Sequence, residues 1–192
     1  MAVIVGLDKL YFSDITINSN TGYETYGSPY ACPGVQNVDI SVDIEKVKTY
    51  RDDGTWEEDS DFHGGTISLK IAEIGMTTAR KLTGGSLDNN GVLVYSREDA
   101  SNLVAVGYRA LNSDGAYDYI WLYRVLFSAP DRSFETQGSS FVYQSPVIEG
   151  DIMPRVKPDS RSKHPWRAYA ASGVASSSVL SNWFSSVYEA SY

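Results

Sequence analysis

The chain has 192 residues, 42% of them hydrophobic and 12% aromatic, a composition that belongs to a folded protein with a core of its own. Its net charge of −8 works against an electrostatic grip on nucleic acid, which needs a surplus of Lys and Arg. The single cysteine, Cys32, excludes an intrachain disulfide and a thiolate zinc cluster, and two histidines, His63 and His164, are too few for a histidine-rich metal site.

The opening stretch MAVIVGLDKLYF has no basic leader, and its apolar run is too short for a signal peptide. Val3 to Ile17 reads as a strand or strand pair. Asn18 to Gly34 is a loop of turn-forming residues that carries Tyr23, Tyr26 and Tyr30.

Val38 to Ala72 reads as one long β-hairpin. Val38, Ile40, Val42 and Ile44 alternate with Asp39, Ser41, Asp43 and Glu45, so one face of the first strand is aliphatic and the other acidic. The phase slips beyond Glu45, since the next apolar residue is Val47, and a bulge or an exit from the sheet is expected there. Asp53-Gly54 is the turn. Alternation resumes at Ile67, Leu69 and Ile71 against Thr66, Ser68 and Lys70. The tip, residues 46–63, is too polar to bury in its own domain. Two readings stand for it: a solvated loop, or an arm that reaches a partner.

A short helix follows at Met76 to Leu82, with Thr77 as cap and Gly84-Gly85 as stop. Val92 to Tyr95 is a short strand. Leu103 to Leu111 and Tyr117 to Phe127 form a second hairpin through Asn112-Ser113-Asp114-Gly115. Strict alternation puts Tyr117, Tyr119, Trp121, Tyr123, Val125 and Phe127 on one face of its second strand, and Ile120, Leu122 and Leu126 on the other. Both faces are apolar, so both are buried. Tyr119 to Pro130 contains Arg124 and is too short to span a bilayer as a helix.

Ser140 to Ile148 is a further strand, Val156 to Trp166 a basic linker, and Trp166 to Ala170 a last short strand. Val179, Trp183 and Val187 recur at intervals of four, as do Leu180, Phe184 and Tyr188, which predicts an amphipathic helix over Ser178 to Ala190. The fold class is mainly β: a β-sandwich or barrel in a single domain, with a protruding hairpin arm and one or two flanking helices. The reading is of a soluble protein made in a reducing cytosol.

No phosphate loop, dinucleotide fingerprint, HExxH or GxSxG is present. Asp39, Asp43 and Glu45 share a face at a separation compatible with a glycosidase pair, but acids on the wet side of a strand are commonplace. Asn112 to Gly115 echoes a calcium loop without the bidentate Glu that one requires. No catalytic residue, metal or cofactor is assigned. Fourteen tyrosines, several of them in loops, fit an interface, leaving a carbohydrate-binding sandwich and a self-assembling structural protein as the competing readings.

The collinear set IVGLDKLYFSDIT, GYETYGSP, VDISVDIEKVKTY running into RDDG, GGTISLKI, and SFETQGSSFVYQSPVIEGDIM resembles the major tail proteins of long-tailed siphophages. That resemblance implies a β-sandwich with a flanking helix, assembled as hexameric rings that stack into the tail tube of a virion after synthesis in the bacterial cytoplasm. Its partners are then other copies of itself, a tape measure protein and tail-end proteins, and DNA passes through without specific binding. On this basis Asp39, Ser41, Asp43 and Glu45 are the candidate lumen wall, with Lys70 a departure on the same side. Charge layout supplies a second candidate surface. Asp52, Asp53, Glu57, Glu58 and Asp59, with Trp56 as an apolar anchor, are expected to contact the linker cations Arg161, Lys163 and Arg167 of another subunit. The linker also carries Arg155 and Lys157 against Asp159 alone, so each block repels itself.

Overall fold

The computed structural model describes residues 4–51, 54–129 and 145–192, with residues 46–61 described in their backbone only. In chain order the elements are β1 (Ile4–Ile17), β2 (Glu24–Tyr26), β3 (Tyr30–Ala31), β4 (Val35–Arg51), β5 (Gly54–Ile71), α1 (Met76–Thr83), β6 (Ser86–Leu87), β7 (Leu93–Val94), β8 (Leu103–Asn112), β9 (Tyr117–Phe127), β10 (Val147–Ile152), β11 (Arg167–Ala171) and α2 (Ser177–Asn182). Both hairpins predicted from alternation form, as β4–β5 and β8–β9. The strand expected from Ser140 begins, within the described residues, at Val147 and runs on to Ile152.

Nine strands make one antiparallel sheet in the order β2-β1-β8-β9-β10-β5-β4, with β3 joining β1 and β11 joining β9 off that path. Leu10 and Phe12 of β1 share a core with Ile67, Leu69 and Ile71 of β5, although β8, β9 and β10 lie between the two strands. The sheet therefore curls around that core. Ala79 and Leu82 of α1 complete it. No side chain caps α1; Gly75 takes the N-cap position in place of Thr77. Gly84 ends the helix in the left-handed conformation, donating its N–H to the Arg80 carbonyl.

One bulge decides how β9 is used. Val104 pairs with Val125 and Val106 with Leu122, so Tyr123 and Arg124 together face the single residue Ala105. The extra residue reverses the alternation. Ile120, Leu122, Val125 and Phe127 all enter the inner core, while Tyr119, Trp121 and Tyr123 face the opposite side. The expectation that Val125 and Phe127 share a face with Trp121 is thus corrected.

The opposite side is covered by the last stretch of chain. Trp183, Val187, Phe184 and Tyr188 pack on Tyr119, Trp121 and Tyr123. The residues expected to face the sheet do so, but the helix is six residues long and ends at Asn182. The Trp183 carbonyl instead accepts the Trp121 indole N–H at 2.9 Å, and the Tyr188 carbonyl accepts the Tyr123 hydroxyl at 2.8 Å. Ser181 and Asn182 side chains both donate to the Ser178 carbonyl, the local competition that makes Ser and Asn poor helix formers.

Candidate assembly surface

β4 forms the end of the sheet and, among the described residues, pairs with β5 alone. At its base the register sets Asp39 opposite Ser68 and Ser41 opposite Thr66, and β10 sets Glu149 beside Ser68 and Asp151 beside Thr66. Strands about 4.8 Å apart thus carry rows Asp39–Ser68–Glu149 and Ser41–Thr66–Asp151 across a polar wall. Asp39, Ser41, Asp43, Glu45, Glu149 and Asp151 are all exposed. Lys70 stands on the same wall, opposite Asn37 and Val147, and the Asn37 amide donates to the Asp39 carboxylate. Glu149 and Asp151 were missed from sequence, although the alternation of VIEGDI carried the signal. Among the described residues, no three His, Cys, Asp or Glu side chains are grouped to hold a metal.

The other face of β4 begins on the core and then runs off it. Val38 and Ile40 are half-buried against the core, whereas Val42 is 36% and Ile44 53% exposed. β10 accompanies β5 only as far as Gly65; from there the ladder is two-stranded out to Arg51 and Gly54. Gly65 suits this junction, because a Cβ there would stand 2.6 Å from the Ser41 carbonyl oxygen. The expected bulge near Glu45 lies slightly earlier and on the partner strand. Asp43 pairs with Gly64 and Ile44 with Phe62, which leaves His63 as the extra residue, and β4 stays in the ladder to Arg51. The His63 ring lies 3.6 Å from the Glu45 carboxylate. Phe62 stacks on Trp166, with centroids 4.4 Å apart and planes 2° from parallel.

Of the expected arm contacts, Asp52 and Asp53 lie outside the described residues. Glu57, Glu58 and Asp59 occupy ladder positions opposite Thr49, Lys48 and Val47, and Trp56 is the extra residue of a second irregularity between Thr49 and Tyr50.

The linker is not the self-repelling block its composition suggests. Glu24, buried in the fold, accepts the Val156 and Lys157 amides at 2.8 and 2.9 Å and pairs with Arg124 at 3.2 Å. Burial works to raise its pKa, but the two amides and Arg124 outweigh that and hold the carboxyl below its ordinary range. Glu189 pairs with Arg155 at 3.4 Å and Lys157 at 2.6 Å. Asp159 accepts the Arg161 and Lys163 amides and the Arg161 guanidinium. Arg161 also donates to the Tyr192 hydroxyl at 2.7 Å. Of the three candidate cations, Arg161 is therefore occupied within the chain, Arg167 is exposed over the Trp166 ring, and Lys163 is exposed. Glu24 and Glu189 were missed because they lie far from the linker in sequence.

No protein-family model matches the chain, and no curated protein is significantly similar to it.

Proposed function

We propose that this chain is a structural, non-enzymatic subunit that assembles with copies of itself into hexameric rings stacked as a phage tail tube, a conduit for DNA. The observation that carries the reading is the β4–β5 hairpin. Among the described residues its strands continue as a two-stranded ribbon past the point where β10 stops, with Val42 and Ile44 exposed. A two-stranded ribbon is marginal alone in water, and an open edge this long invites another chain. Copies of the same chain supply both missing partners when the edge and the aliphatic strip are buried between subunits. The acidic wall then has a use as the lumen surface, since it repels a passing duplex. The sequence resemblance to siphophage major tail proteins supports the same reading and extends it to a virion location, a tape measure protein and tail-end proteins as partners. No helix among the described residues is long and apolar enough to cross a membrane. Heterologous contacts that do not close upon themselves propagate, which turns rings into a filament.

Purified protein concentrated without metal or nucleotide is expected to form tubes of uniform diameter by electron microscopy. Persistent monomers at high concentration, with tape measure protein and chaperone supplied, contradict the reading. One observation favours the rival carbohydrate-binding module: an open groove of about 450 Å³ lined by Tyr169, Val174, Trp183 and Tyr188. The exposed Tyr169 ring is the aromatic there that a sugar could stack on, and a glycan titration of the monomer separates the two readings.

A further inference from the structure

We infer that the linker cations Arg155, Lys157 and Arg161 form a docking seat for the acidic arm of a second copy, which the chain's own Glu189 and Tyr192 occupy until that copy arrives. The partner's identity rests on the proposed self-assembly; the seat rests on geometry. Arg155 is 2% exposed, yet its Nε–H has no acceptor among the described residues, and its closest carboxylate oxygen, on Glu189, is 3.4 Å away. The guanidinium also faces the Tyr123 ring, 5.0 Å from its centroid, and the unpaired N–H leaves one donor for a further anionic partner.

Glu189 is a poor permanent partner. Its side chain and that of Lys157 are each 37% exposed, and a pair this open to water holds weakly and exchanges readily. The Tyr192 hold on Arg161 is of the same kind. The guanidinium lies 3.5 Å from the ring centroid and donates to the hydroxyl, but Tyr192 is 70% exposed. Behind these displaceable contacts the seat itself is fixed, because Glu24 clamps the Val156 and Lys157 amides and Asp159 closes the turn to Lys163. A cavity of about 340 Å³ opens beside the seat, lined by Tyr26, Lys157, Val187 and Glu189 among others, and gives an incoming side chain access.

The occupant is identified by charge. Residues 52–61 carry six carboxylates and no Lys or Arg, in a chain whose net charge is −8. Within the fold, Asp159 pairs with Arg161 from beneath the seat, while Glu189 is the exposed carboxylate and Tyr192 the exposed aromatic that hold it. The arm offers both groups together, as Glu57, Glu58 and Asp59 beside Trp56. At the root of the arm, Phe62 stacks on Trp166 at the end of the same subunit's linker.

The test uses the full chain at a concentration below assembly, titrated with a synthetic peptide of residues 46–63 and followed by amide chemical shifts. Glu189→Gln is expected to tighten the peptide about fivefold or more, with shifts centred on residues 155–163 and lost at high salt. Tyr192→Phe, which keeps the ring and removes the acceptor for Arg161, is expected to tighten it by a smaller factor. A peptide carrying Glu57, Glu58 and Asp59 as Lys is expected not to bind. Equal binding by wild type and both variants, or shifts away from the linker, overturns the inference. Assembly is scored separately, with Glu189→Gln expected to shorten the lag before tubes appear. Tubes with an unchanged lag and unchanged peptide binding defeat the inference and leave the tube reading intact. Tighter peptide binding without tubes in any variant supports the seat and defeats the tube reading.

Discussion

Glu24 is a single side chain on which two distant parts of the chain depend. It opens the three-residue strand β2, yet it satisfies two amides of the linker and one guanidinium of β9. Glu24→Gln keeps the shape and removes the charge, leaving Arg124 and one amide poorly matched. The expected loss is about 2 kcal/mol, read as a fall in urea midpoint with unchanged slope. The same group sets an acid limit. Its folded pKa is depressed below the ordinary 4.5, so its stabilisation is complete above that value and is lost as pH falls through the folded value. Asp159, lowered chiefly by the Lys163 amide, and Asp8, lowered chiefly by Arg109, add in the same direction. Wild type is therefore expected to lose stability as pH is taken below about 4, with a shallower loss in Glu24→Gln. An equal acid dependence in both would mean that the linker clamp is not the sensitive element.

At the scale of elements, the hairpin behaves as two pieces joined at Gly64-Gly65. The base is one strand pair in a sheet; the distal ribbon is held to the body through Phe62 on Trp166. A stacked pair of this type contributes about 0.5–1.5 kcal/mol beyond its buried area. Trp166→Ala is thus expected to raise amide exchange through residues 44–51 and 54–62 by about 2- to 10-fold in the monomer, while β8 and β9 stay protected. Val42 and Ile44 make the complementary case. Changing both to Asp alters exposed positions, so monomer stability should move by no more than about 0.5 kcal/mol per site. Assembly is expected to be abolished, because under the proposed function the next subunit covers the strip. Tubes formed normally by that double variant would show that the strip faces solvent in the assembly.

These elements also show what the sequence makes legible. Alternation announced β4, β5, β8 and β9 because each has at least one face whose residues differ from the other or a turn that brackets it. The bulge at Tyr123-Arg124 was invisible for a physical reason: both faces of β9 are apolar, so shifting the phase leaves no mark on the pattern. The last helix was over-read for a related reason. Val179, Trp183 and Val187 do reach the sheet, but a serine-rich backbone meets Trp121 and Tyr123 through carbonyls that a continued helix would have consumed. The acidic wall was half visible, since Asp39 and Asp43 lie on one strand while Glu149 and Asp151 arrive only through strand pairing.

At the scale of the whole molecule, charge is sorted by place. The wall of β4, β5 and β10 carries exposed acids with Lys70 as a cation among them, whereas the linker cations are largely met by Asp159 and Glu189. Exposed charges act over about 8 Å at physiological salt, so only wall residues close to a passing duplex influence it. If the proposed tube is correct, changing Asp39, Asp43 and Glu45 to Lys is expected to leave assembly intact and slow genome ejection by turning repulsion of the duplex into attraction. An unchanged ejection rate would place these residues elsewhere than the lumen.

Electron cryomicroscopy of the assembled protein, at a resolution that traces β4 and β5, tests the self-assembly reading most directly. The expected result is a hollow tube of six-fold rings in which Asp39, Asp43, Glu149 and Asp151 face the channel and Val42 and Ile44 are buried between subunits. Particles that remain single chains, or tubes in which that acidic wall lies on the outer surface, would contradict it.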